Sequence, residues 1–186
     1  MRRFIAPMFT LLTALSTPLA GQALSFGFAG TLGGDWSIEA GEFGLVEPVG
    51  LGPVRNIAAS VRAGFFGDNR TSIISHQRGF LGALALGVRS GTKNFFAVGA
   101  ENANPTQIGV DVTLEVAGYI ASHSPLPEGK RWTSAAILPA LRVGQENQTQ
   151  FALVIGPTWF YGDVQRVHPF LGVRVEVPLA HARGGP

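Results

Sequence analysis

Few side chains in this sequence could move protons or attack a carbonyl. Ser122-His123-Ser124, followed by Glu128, sets a serine, a base and an acid close together, the groups an esterase acting on lipid would use. The spacing opposes that use. On a strand running through the segment, Ser122 and Ser124 point away from the face that carries His123, so neither hydroxyl meets the ring. Pro125 and Pro127, flanking Leu126, are ordinary turn chemistry. His76, between Ser75 and Gln77, reads as a solvated turn residue, and His168 has no second His or Cys at metal-ligand spacing. The chain contains no Cys, which excludes disulfides, thiolate metal sites, thiol nucleophiles and lipidation at an N-terminal cysteine together. Phosphate loops, dinucleotide fingerprints and metalloprotease motifs are also missing. The expectation is a non-enzymatic protein without a cofactor.

The elements that carry these residues have a period of two. From Ile108 to Ile120, Ile108, Val110, Val112, Leu114, Val116 and Ile120 share one parity, while Asp111, Thr113, Glu115, Ala117 and Tyr119 share the other. The same split runs through 24–32, 56–65, 80–89, 136–143, 151–159 and 167–179, with the Phe95–Ala100 run as a further short strand of ambiguous register. That predicts about eight strands of roughly ten residues, the length that crosses a bilayer when tilted. Gly33 to Pro53 reads as one long loop, or as a further strand through Trp36, Ile38 and Ala40, which would make the fallback count ten. Pro139, Pro157, Pro169 and Pro178 fall inside proposed strands and call for bulges or strand ends.

Composition decides which face turns inward. Of 186 residues, 46% are hydrophobic and only 14% charged, too few charges for an ordinary water-facing surface. A soluble sandwich or lipocalin-like carrier would bury the aliphatic face and show water a face dense in Lys, Glu and Asp. Here the second face is mostly Gly, Ala, Ser and Thr, with one or two charges per strand. That suits a cramped lumen holding Arg62, Arg89, Arg142 and Arg174 against Asp111, Glu115 and Glu176, with His168 in the same network. Asp111 and Arg142 are expected to face each other there. The aliphatic face then meets lipid, which strands tolerate only in a closed barrel. Aromatic residues near the strand ends fit two interfacial girdles, although Tyr119 and Trp132 fall on the luminal parity.

The ends of the chain bear on its destination. Met1-Arg2-Arg3, the apolar run Phe4–Ala20 and the small residues Gly21-Gln22-Ala23 read as a cleavable signal peptide, 1–23, with a mature start at Leu24. Removing Arg2 and Arg3 leaves 12 basic and 12 acidic residues, so the alkaline pI of the full sequence is no footprint for nucleic acid.

In this all-β pattern of a closed antiparallel up-and-down barrel spanning 24–180, the chain resembles the small, eight-stranded bacterial outer-membrane β-barrels. Its last strand, Phe170-Leu-Gly-Val-Arg-Val-Glu-Val-Pro-Leu179, is similar to the insertion signal of that class, but lacks the terminal aromatic and is followed by a short tail, 181–186. The resemblance implies a bacterial outer-membrane location, contact with outer-membrane lipid and handling by a barrel-assembly machinery. The function it implies is structural or surface contact around a side-chain-filled lumen, with the loops 33–53 and 121–130 outside. The alternatives are a lipid A-modifying enzyme at the outer rim and a secreted lipocalin-like carrier. No residue pattern sets an oligomeric state.

Overall fold

The computed structural model describes residues 22–32, 38–51, 54–68, 79–91, 93–96, 106–121, 131–145, 148–162 and 166–179. Nearly all of them are strand: β1 (Ala23–Thr31), β2 (Ile38–Leu51), β3 (Val54–Asp68), β4 (Gly79–Arg89), β5 (Lys93–Phe96), β6 (Thr106–Ala121), β7 (Arg131–Val143), β8 (Gln150–Gly162) and β9 (Arg166–Pro178). Every pairing is antiparallel. The order β4-β3-β2-β1-β9-β8-β7-β6 is closed by a direct β4–β6 ladder, so eight strands form an up-and-down barrel with no free edge. First and last strands seal against each other from Ala23 opposite Pro178 to Thr31 opposite Phe170.

The expected strand number holds, but the membership differs. Ile38–Leu51 is a full wall strand, paired with β1 and β3. The short run after Lys93 is not a wall strand: β5 only prolongs the β4 edge along the start of β6, with Lys93 opposite Ile108. Alternation leaves this segment open between loop and strand because its glycines and glutamates weaken the contrast between faces. Ile38, Ala40 and Val46 are buried inside while Phe43 is exposed outside.

The register also fixes the shape. Followed from Ala29 through Gly172, Val154, Ala140, Asp111 and Arg89 to β3 and β2, the pairing returns to β1 about ten residues nearer the N-terminus. With ~3.3 Å per residue and ~4.8 Å between strands, that stagger tilts the strands by about 40°. The interior of so narrow a barrel is filled by side chains.

Of the expected bulges or strand ends, one strand end is found, at Pro178, and the other prolines are absorbed without a bulge. Pairing of β7 with β8 stops between Ala136 opposite Thr158 and Ala140 opposite Val154, then resumes in the same register. Pro139 and Pro157 lie in that gap, with Pro169 beside it on β9, and Pro178 ends β9. Gly156 sits in the gap too, where a Cβ would run into the Ile137 carbonyl. The one register shift among the wall strands is elsewhere, between Val49 and Leu51.

Candidate functional site

The lumen is the feature with the most chemistry, and alternation builds it. Each strand sends every second side chain inward, so the charged residues of six strands meet at the axis. They gather in two layers, each of two arginines and two carboxylates.

The middle layer joins β2, β3, β6 and β9. Arg62 pairs with Glu42 through Nε at 3.1 Å and with Glu115 through Nη2. Arg174 Nη2 lies 3.4 Å from Glu42 Oε2 and 3.5 Å from Glu115 Oε2, and its guanidinium sits 5.9 Å from the centre of the Phe170 ring. All four side chains are buried.

The second layer lies nearer the end where β1 starts and β9 stops. Arg142 grips Asp111 with both ends of its fork: Nε donates to Oδ2 and Nη2 to Oδ1, each at 3.0 Å. Its Nη1 donates to Gln150 Oε1 at 3.0 Å and Nη2 also to the Ser90 carbonyl at 2.9 Å. Arg89 completes the layer, with Nε 3.2 Å from Asp111 Oδ2 and Nη2 2.5 Å from Glu176 Oε2. Between the layers lies a cavity of about 40 Å³ bordered by Ser25, Thr113 and Glu176, room for a water or two and far too small for a solute.

Beyond the middle layer the interior turns apolar. Phe66, Tyr119, Trp132 and Phe160 pack ring on ring at the end away from the start of β1, with Tyr119 stacked on Trp132 at 5.7 Å and Phe66 edge-on to both at 5.6 and 5.4 Å. Leu81 and Ile38 fill the sides of this plug. Tyr119 and Trp132, on the luminal parity, do point inward, and with Phe66 they close the barrel and do not join an interfacial girdle.

No known family model matches the chain. Nor is any curated protein or solved structure significantly similar to it.

Of the residues expected in the lumen, Arg62, Arg89, Asp111, Glu115, Arg142, Arg174 and Glu176 are in the two layers, and Asp111 and Arg142 do face each other. His168 also faces inward, but at the plug, its ring 6.3 Å from Phe160 and opposite Thr158 in the ladder. Glu42 was missed because its segment read as a loop. The signal that could have found it was arithmetic, since four arginines had been set against three acids and a sealed lumen leaves no charge uncompensated. Glu47 lies on the outward parity of β2, buried, and accepts a hydrogen bond from Gln22 Nε2 at 2.6 Å.

Ser122, His123, Ser124, Glu128 and His76 lie outside the described residues, as do 1–21, which hold most of the expected signal peptide. Gln22 and Ala23 already belong to the wall: Leu179 N–H donates to the Gln22 carbonyl at 2.8 Å. Among the described residues, no three His, Asp or Glu side chains are grouped to hold a metal ion. The lumen of paired ions capped by packed rings neutralises its own charges and obstructs passage.

Proposed function

We propose that this chain is a non-enzymatic transmembrane barrel of the bacterial outer membrane, a lipid-anchored wall with a filled lumen that holds loops at the cell surface. The observation that carries this reading is the orientation of the aliphatic face. Exposed Val, Leu, Ile and Phe side chains encircle the barrel, among them Phe28 at 71% and Leu114 and Val116 at 61%. Water would tolerate such a continuous belt poorly, whereas hydrocarbon favours it and a closed ladder presents no free strand edge to it. On β6 the exposed row from Val110 to Ile120 covers about 25 Å along the axis, the height of an outer-membrane apolar band.

The lumen supports the absence of a diffusion pore, because two charge layers and a ring plug stand in series along it. It also disfavours a secreted carrier, which needs a cavity where this barrel has side chains. β1 starts and β9 stops at one end, so in an outer membrane that end faces the periplasm and β1, β3, β6 and β8 run toward the outer side. Insertion by a barrel-assembly machinery through β9 belongs to the same reading.

The test is fractionation of the expressed chain. The protein is expected in the urea-washed membrane pellet, released by detergent, and running faster on an unboiled than on a boiled denaturing gel. A protein that is monodisperse in buffer without detergent would end this reading.

A further inference from the structure

The outer wall is not evenly convex. Near the end away from the start of β1, on the face made by β4, β6, β7 and β8, it carries an open depression of about 620 Å³. Its floor is Gly82 directly opposite Gly118 in the ladder, and at neither would an added Cβ meet any atom within 4 Å. Two neighbouring outward positions therefore drop the surface by the height of a side chain. Phe80, Ile120 and Tyr161 stand around the trough, each more than half exposed. Thr133 lies opposite Gly118 and Tyr161 opposite Thr133, while Arg131 lies opposite Ile120, closer to the rim.

We infer that this trough binds one membrane lipid with an anionic phosphate headgroup, its acyl chain on the glycine floor and its phosphate at Arg131. The inference rests on the membrane reading above. The chemistry is sorted by depth in the order a lipid needs: bare backbone and aliphatic walls in the belt, two hydroxyls above them, then a guanidinium at the rim. An exposed guanidinium beside the headgroup layer recognises phosphate through paired N–H bonds and favours anionic over zwitterionic lipid. A second copy of the chain fits less well. A two-fold contact centred on the trough would set Arg131 against its own counterpart.

The probe is phosphatidylglycerol against phosphatidylcholine with the same acyl chains, offered to the detergent-solubilised chain and read by native mass spectrometry. The wild type is expected to retain one phosphatidylglycerol about tenfold more than phosphatidylcholine. Arg131→Gln should bring the two lipids to the same level. Gly118→Leu, which fills the trough from an outward strand position with open space, should lose the retained lipid of both kinds. Val112→Leu, elsewhere on the same belt, should behave as wild type. The inference is overturned by equal retention of both lipids in the wild type, by undiminished retention in Gly118→Leu, or by a dimer in place of the lipid adduct. A barrel that inserts into liposomes yet retains no lipid sinks the trough alone, whereas a detergent-free soluble protein sinks the membrane reading itself.

Discussion

Arg142 makes bonds from all three of its guanidinium nitrogens, to Asp111, Gln150 and the Ser90 carbonyl. Arg174, besides its place over the Phe170 ring, adds long contacts of 3.4 and 3.5 Å to carboxylates that Arg62 also holds. Breaking a buried pair leaves an uncompensated charge, at a cost of ~3–5 kcal/mol. Arg142→Met should therefore destabilise by about that much, and Arg174→Met by clearly less, in urea titrations of the folded barrel in detergent micelles. Equal losses would mean that bond geometry does not set the strength of these layers. At this scale the sequence was legible wherever charges stood in strong alternation, as around Asp111 and Glu115. It failed at Glu42, whose neighbours Gly41 and Gly44 gave no contrast between faces. Only the summed charge pointed to a missing acid.

Elements were legible in proportion to the difference between their two faces. β6 and β9 keep an aliphatic face distinct from the other over most of their length and read clearly, whereas β2 is diluted by Gly41, Gly44 and Pro48 and read as either a loop or a strand. Phe95 and Phe96 gave the opposite error, since two adjacent aromatics raised strand propensity without a periodicity to fix a face. This division is testable. Leu45→Pro removes a donor from a strand paired on both sides, opposite Leu24 and Val61, and should abolish the gel-shifting folded form. Asn94→Pro, in a strand paired on one side, should leave it intact. Proline positions were visible in the sequence, but their accommodation was not, because a gap in one ladder depends on both partners. Gly156→Ala pushes a methyl against the Ile137 carbonyl in that gap and should cost ~1–3 kcal/mol in the same titration, while Gly82→Ala, facing open space, should be nearly neutral.

For the whole molecule, closure and filling together determine what crosses it. An ion moving along the axis would meet the ring plug of Phe66, Tyr119, Trp132 and Phe160, then the quartet of Glu42, Arg62, Glu115 and Arg174, then the layer around Asp111 and Arg142. These obstructions act in series, so removing one leaves the others. Purified wild type in planar bilayers is expected to give no steady conductance. Phe66→Ala with Trp132→Ala should remain silent, because the charge layers are untouched. Converting the middle quartet to four alanines removes two positive and two negative charges together and leaves no unpaired ion in that layer, so the loss is that of the vacated volume alone, and the gel shift reports whether the barrel still forms. That variant should be silent too, behind the plug. Conductance should rise only when plug and quartet are both removed, and should then stay small, because Arg142 and Asp111 remain clasped below. Steady current through the wild type would show that the lumen in a membrane is not the filled one seen here. Current through the plug variant alone would show that paired ions at this spacing let ions past, and that the rings are the only seal.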